Sequence, residues 1–380
     1  MLFWYPLAGV TFQFLHYLIA LRRLGYDAYY VEDSARWIYD PRLIDLSPDA
    51  SGNVASVAPV LDAHGFAGKW AFRGNYPGGS CYGMSELELK TLYREADAFL
   101  NVTGSQDIRK EHRRIKRRIY VESDPFAAQV NVDMGRTKAI RQLEAHDTLF
   151  TFGENIGQGD CILPVGRFTW LPTRQPVLLD LWPVAQPSRD APFNTITTWH
   201  NKKKNIRWRG ETWYWTKDRE FKKFVTLPEL RPQVGFELAT SLDSYPEAKR
   251  LLTRHRWRLA DGPGISSNLE TYRDYIRHSR GEFTVTKDQV VRPKTGWFSD
   301  RTACYLAAGR PVITHETGFS KFYGRGRGLF GFATMDDILA AVDAIESDYA
   351  GHCRAARELA EEYFAAEKVV GSLMQRAGLM

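Results

Sequence analysis

The 380-residue sequence predicts an α/β protein built from two doubly wound parallel-sheet domains. Three observations carry that expectation. A strand–turn–helix–strand unit occupies the first 33 residues, a second series of alternating strand and helix patterns starts near Phe193, and a long helical tail closes the chain. The length exceeds what one ordinary core fills. Apolar residues make up 44% and aromatic residues 13% of the chain, which supports packed interiors and excludes global disorder.

In order, LFWYPL reads as a strand, AGVT as a turn, FQFLHYLIALRRLG as a helix and YDAYYVED as a second strand. Phe14, Leu15, Leu18, Leu21 and Leu24 recur at roughly helical spacing, and Gly25 stands where a helix would stop. The opening strand lies so near residue 1 that a few residues of the native chain are expected ahead of it. SELELKTLYREA is then a helix, AFLNVTGS a strand, RRIYVESDP a strand ending in acids before Pro125, and DTLFTFGEN another strand. The Pro-rich run from Pro164 to Pro187 marks a linker.

The second series opens with FNTITTW as a strand. REFKKFVTLPEL is helical until Pro228, VGFELATS is a strand, EAKRLLTRHRW and NLETYRDYIRHSR are helices, and GEFTVTK is a strand. A short helix at DRTACYLAAG and the strand RPVITH follow, then a nearly continuous helix from Thr334 towards Gly378. The expected units are residues 1–175, residues 176–352, and a tail of 353–380 packing back on the first.

Composition narrows the class of protein. The net charge of +6 and pI near 9.0 suit anionic small molecules and are also compatible with nucleic acid. The basic run IRKEHRRIKRRI (108–119) has no interleaved aromatics and no recognition-helix pattern, so a solvated helix face is favoured over nucleic-acid binding. Cys81, Cys161, Cys304 and Cys353 show no paired spacing, which fits reduced thiols in a cytoplasmic protein and no structural zinc. No stretch approaches the length of a membrane span, so a soluble protein is expected.

The most informative stretch is KTGWFSDRTACYLAAGRPVITHETG (294–318). Ser299 suits an N-cap and Asp300 suits the first helical turn. The plain reading is a capped helix docked on a sheet. The functional reading adds that a helix N-terminus is an anion site, and that Arg301 brings a fork matched to phosphate oxygens. Lys287 ends the preceding strand and points to the same crevice, while Thr317 and Gly318 reach it from the other side.

The AAGRPVITHETGF tail with the preceding GWFSDR resembles the donor segment of nucleotide-sugar-dependent glycosyltransferases of the GT-B fold. PLAGVTFQFLHYLIALRRLGYDAYYVED is similar to their first β-α-β unit, and ARELAEEYFAAEKVVGSLMQRAG resembles their last helices. The likeness touches both ends and much of the C-terminal half, and is weak from about Arg36 to Gln175. It implies two facing Rossmann-like domains and a sugar moved from a nucleoside diphosphate sugar to a small, natural-product-like acceptor. No metal or other cofactor is implied. The SDR variant is most similar to bacterial members of the spore-maturation and secondary-metabolite type. Many retaining members carry a Glu where this chain has Cys304, so the ribose contact and the stereochemical course do not transfer.

The resemblance implies donor contacts at Gly9, Thr11, Thr198, Lys217, Lys287, Ser299, Asp300, Arg301, Thr317 and Gly318. Arg301 and the helix dipole would stabilise the departing nucleotide. Asp124, Glu154 and Asp33 each fall at or just after an expected strand end and are candidate general bases, Asp124 first because Pro125 fixes its strand end. For each acid the plainer alternative is a helix or turn cap. Lys217 could equally be a solvated lysine, and His16 is expected to pack in the core or the crevice wall. The cluster WRGETWYW is read as a hairpin packing its own aromatics. A nucleotide-sugar epimerase on the same fold is the alternative enzyme.

Overall fold

The computed structural model describes residues 1–33, 37–41, 43, 45–74, 80–188, 190–201 and 203–379. The first half runs α1 (Ala8–Arg23), β1 (Tyr30–Glu32), β2 (Ile38–Asp40), β3 (Asp45–Ser47), α2 (Ser51–Ala63), β4 (Trp70–Arg73) and β5 (Cys81–Gly83). It continues with α3 (Glu86–Glu95), β6 (Ala98–Val102), β7 (Arg117–Glu122), α4 (Ala127–Asp133), α5 (Thr137–Glu144), β8 (Thr148–Thr151) and β9 (Trp170–Pro172). β6-β7-β8-β9 form an all-parallel sheet, and β1 pairs in parallel with β4, which takes β5 as an antiparallel edge.

The second half begins with β10 (Phe193–Ile196), the hairpin β11 (Ile206–Trp208) and β12 (Glu211–Trp213), α6 (Asp218–Lys222) and α7 (Leu227–Leu230). Next come β13 (Phe236–Thr240), α8 (Pro246–Arg254), β14 (Arg258–Asp261), α9 (Gly262–Ser266), α10 (Leu269–Arg277) and β15 (Gly281–Thr284). The remainder is α11 (Asp288–Val291), α12 (Asp300–Ala307), β16 (Val312–His315), β17 (Leu329–Phe332), α13 (Met335–Ser347), α14 (Tyr349–Tyr363) and α15 (Ala366–Arg376). Six of these strands form a wholly parallel sheet in the order β14-β13-β10-β15-β16-β17. In chain order that is 3-2-1-4-5-6, the doubly wound arrangement whose strand order reverses between β10 and β15. The α/β expectation holds, with two Rossmann-like halves.

Several local expectations are corrected. LFWYPL is not a strand: Pro6 lacks a donor, and the amides of Leu2, Phe3 and Trp4 donate to Tyr30 Oη (2.9 Å) and to Glu32 Oε2 (3.0 Å) and Oε1 (2.9 Å) instead of a strand partner. The expected AGVT turn is the first turn of α1. Pro228 opens α7 rather than ending a helix, as its missing amide allows. Part of the Pro-rich run is β9, an edge strand where proline is tolerated. The long tail breaks at Asp348, whose side chain caps α14 by accepting from the Gly351 amide at 3.0 Å, and again at Phe364 and Ala365. α14 runs through position 353 unbroken.

The basic run is a single 3₁₀ turn (His112–Arg114) leading into β7, not a helix face. Arg109 and Arg118 hold Glu111 and Asp147, each at 2.8 Å.

The N-terminal core joins α1 to α15 through Leu15, Ile19, Val370 and Leu373, so the final helix packs on the first half. Val177 bridges Ala365, which sets the two chain crossings between the halves side by side. His16 is buried against Trp182, whose indole donates to its Nε2 at 3.2 Å, and burial lowers its pKa to about 3. It is a packed core histidine.

Candidate functional site

The two halves meet along main chain. The Asn155 amide donates to Thr295 O at 3.0 Å and its side-chain Nδ2 to Lys294 O at 2.7 Å, while within the second half the Gly296 amide donates to Thr317 O at 2.7 Å. Gly296 has φ +77°, and a Cβ there would stand 2.6 Å from the Asn155 nitrogen, so only glycine permits this approach. Gly318, with φ +95°, faces the same asparagine amide. The hairpin β11–β12 adds a second clamp, its Trp208 indole donating to Asp133 Oδ2 on α4 at 2.7 Å.

The clamp reaches the site through one turn. Phe126, directly after Asp124 and Pro125, sits at φ 131°, a sparsely populated conformation costing about 1–3 kcal/mol. Its amide donates to Gln129 Oε1 at 2.9 Å and its buried ring packs on Trp213, with centroids 5.2 Å apart. The aromatic hairpin of the second half therefore holds the strained turn that presents Asp124. Trp297 fixes the same turn by donating its indole N–H to Ser123 O at 2.7 Å.

At the reversal point of the second sheet, Arg301 fills all sides of its guanidinium. Nε donates to Glu282 Oε1 (2.7 Å), Nη1 to Ile196 O at the end of β10 (2.7 Å), and Nη2 to Thr284 Oγ1 at the end of β15 (2.9 Å). Glu282 is fully buried. Arg301 thus ties the two diverging strands together. Three of its five N–H groups are held by protein, which gives Arg301 a positioning role at the reversal point.

A buried lysine amine lies beside it. Lys217, at the start of α6, has no hydrogen-bond or carboxylate partner among the described residues. Burial holds its pKa well below the ordinary ammonium value, and the Arg301 and Lys287 charges push the same way. Lys287 lies 3.2 Å from the Trp215 ring centre and 2.7 Å from Asp124 Oδ1, a bond spanning the two halves. Two residues expected separately, one as base and one as donor contact, are thus ion-paired across the cleft.

α12 starts here with its amide end open. Among the described residues, the Ser299 hydroxyl at the N-cap position accepts no cap bond and the buried Thr302 hydroxyl has no partner. Asp300, the first helical residue, is pushed up to about pH 7 by burial and by the nearby Asp124 charge, while Gln13 of α1 hydrogen-bonds to it. Asp124, Asp300, Lys287, Lys217 and the α12 terminus therefore lie together where the carboxyl ends of the second sheet's strands face the first half.

The other expected residues lie elsewhere or are otherwise engaged. Asp33 is fully buried under Arg73 (2.8 Å), Arg109, Tyr93 (2.8 Å) and Gln106, which removes it from the role of an open general base. Asp33, Glu111 and His112 bring ligand atoms within 4.8 Å of one another, but the two guanidiniums already neutralise that cluster. Glu154 binds Arg174 through both oxygens (3.0 and 3.1 Å) and accepts from Tyr323, a structural tie between the halves. Gly9 presses on Tyr272 of α10, whose hydroxyl lies 3.1 Å from the position of an added Cβ. Thr11 bonds back to Leu7 O (3.1 Å), and Thr317 donates to Trp297 O (2.6 Å). Thr198 is exposed just past β10.

Sequence reading missed Glu282 and Gln13 and gave Trp297 no role, while Trp215 was read only as part of the aromatic hairpin cluster. Glu282 had a signal: an acid inside an apolar strand between two others is rarely buried without a cation.

No protein-family model matches the chain, and no curated protein matches it. Among solved structures, Anabaena HepE in complex with UDP and glucose superposes with a TM-score of 0.54 at 11% identity, covering 85% of this chain and 89% of that one. The HepE complex with UDP-glucose gives 0.52 at 12%, with the same coverage. The likeness shows the fold: two facing Rossmann-like domains in the GT-B arrangement.

Proposed function

We propose that this protein transfers a sugar from a nucleoside diphosphate sugar to a small-molecule acceptor. The observation that carries this reading is the unpartnered, desolvated Lys217 beside Lys287 and the open amide end of α12, at the reversal point of the second sheet. Such a place suits a diphosphate, because charge and N–H donors are already oriented and water is largely excluded. The HepE structures, with UDP and UDP-glucose, make uridine the first base to test.

In this reading residues 176–352 hold the donor and residues 1–175 the acceptor, with 353–380 as the returning tail. Lys217, Lys287 and the Asp300–Thr302 amides receive the diphosphate, Ser299 and Thr198 border it, and Arg301 keeps β10 and β15 in register beneath it. Asp124 leaves Lys287 when the diphosphate arrives and faces the acceptor hydroxyl as the general base. These cations stabilise the departing nucleotide, so the scheme calls on no separate cofactor. The natural-product character of the acceptor, and a cytoplasmic setting, rest on the sequence resemblance and the free thiols.

A thermal-shift panel of UDP, TDP, GDP, CDP and ADP tests the donor site. One diphosphate at about a hundred times its dissociation constant should add about 2.7 kcal/mol; a flat panel sinks the reading. Incubating the protein with donor alone separates transfer from epimerisation.

Asp300 gives the response a pH signature. Its native pKa of about 7 lies above the ordinary carboxyl value of 3.8, so the folded state holds the extra proton between them. Wild-type stability from this group falls as pH rises through that window, and deprotonated Asp300 repels a diphosphate. Asp300→Asn is therefore expected to match wild type near about pH 4 and to gain stability progressively up to about pH 7. The fall in diphosphate affinity across neutral pH should also flatten. Parallel melting curves of both proteins at several pH values check this.

A further inference from the structure

One buried acid of the first half takes no part in the proposed transfer. Glu122 closes β7, is 3% exposed, and accepts two hydrogen bonds on one oxygen. Gln129 Nε2 of α4 and Thr151 Oγ1 of β8 each donate to its Oε2 at 2.7 Å. Both donors are oriented from behind. The Phe126 amide donates to Gln129 Oε1 at 2.9 Å, which turns the N–H end of that side chain towards Glu122. The Gly153 amide donates to Thr151 Oγ1 at 3.0 Å, which leaves the hydroxyl proton for Glu122.

Four hydrogen bonds thus run between two main-chain amides with their polarity fixed at both ends, so the centre must be an acceptor. One end, Phe126, holds the strained turn that presents Asp124. The other, Gly153, leads directly to Asn155, whose amide donates to Thr295 O of the second half at 3.0 Å. Glu122 therefore stands between the Asp124 carboxylate and the joint that seats Lys287, whose Nζ lies 2.7 Å from Asp124 Oδ1. Its charge state fits that place. The Oε1 atom is buried with no partner among the described residues, a costly site for an anion. Burial pushes the carboxyl up to about 8, and the Asp124 charge acts the same way. Near neutral pH Glu122 is then a neutral acceptor that adds no second negative charge beside Asp124.

We propose that Glu122 is a positioning residue, the shared acceptor that sets Asp124 against Lys287 by tying the 123–126 turn to the Asn155 joint. Its consequence for transfer rests on Asp124 as the general base; the pairing it controls does not. Glutamine at position 122 keeps an acceptor oxygen in the same place. Leucine leaves the Gln129 and Thr151 donors buried and unmet, which frees the turn and draws Asp124 away from Lys287.

Lysine-selective isotope labelling reads the pair by NMR without any nucleotide, with the Lys287 signal assigned by its loss in Lys287→Arg. Asp124→Asn gives the position of that signal when the pair is broken. Glu122→Leu and Gln129→Leu should each move it most of the way there, whereas Glu122→Gln should leave it at the wild-type position. In Glu122→Leu the diphosphate that stabilises wild type should also bind several-fold tighter, since Asp124 no longer competes for Lys287. Turnover in transfer should fall about 100-fold in the same protein, as a misplaced base predicts. Wild-type Lys287 signals in folded Glu122→Leu and Gln129→Leu, or a Glu122→Gln signal displaced as far as theirs, would overturn the proposal. Should Glu122→Leu not fold, Gln129→Leu decides by the same shift. A flat diphosphate panel with the lysine shift present overturns the donor site alone.

Discussion

Arg301→Ala is expected to lower folding stability by about 3–5 kcal/mol, the cost of leaving a buried charge without its partner. The carboxylate left behind is Glu282, which is fully buried and whose second oxygen has no other partner. The substitution also releases Ile196 O and Thr284 Oγ1, the two anchors that join β10 to β15. Chemical denaturation measures the effect directly. The double variant Arg301→Met, Glu282→Gln should recover most of the loss, since removing both charges together spares the isolated carboxylate. Arg301→Lys should recover little, because one ammonium cannot reach three acceptors held in a fork. A loss below about 1 kcal/mol in the single variant would show that the pair is solvated and that Arg301 does not organise the reversal point.

Lys217→Met should separate binding from stability. Diphosphate affinity is expected to fall about 100-fold, or about 2.7 kcal/mol, while the unliganded protein stays as stable or gains. The reason is that Lys217 is desolvated beside two other cations and has no ion pair among the described residues. Its native pKa is lowered, so the unfolded chain binds the extra proton and wild-type stability rises with pH between the native value and about 10.5. Lys217→Met removes that rise. Titration calorimetry with the stabilising diphosphate and urea melts at two pH values give both readouts. Unchanged affinity would move the anion site away from this crevice.

How much of this was legible beforehand depends on the kind of signal. The helix at Asp300 to Ala307 and the strands on either side announced themselves by polar caps, an apolar face and the Gly309 stop. β14 and β17 were missed, because four-residue strands with mixed burial carry no clear period. Residues 36–84 gave no reading, since short strands and a helix containing Pro59 dilute the pattern. In the site, the sequence named Asp124, Lys217, Lys287 and Asp300, which the fold brings together, but could not show which of them pair. Pairing across 163 positions, as between Asp124 and Lys287, is a property of how the halves dock. Arg301 was read as a ligand group because nothing local reveals that Glu282, nineteen positions upstream, is its partner.

At Asn155, Thr295 and Gly296 the joint uses backbone atoms on both sides, beside the side-chain ties of Trp208, Trp297, Lys287 and Tyr323. At that one point the seam depends less on which side chains flank it than on position 296 staying bare. Each half can then drift in what it grips, one towards new acceptors and the other towards new nucleotides, without disturbing the angle at which they face. A single methyl on residue 296 would wedge the halves apart and disable every chemistry they share.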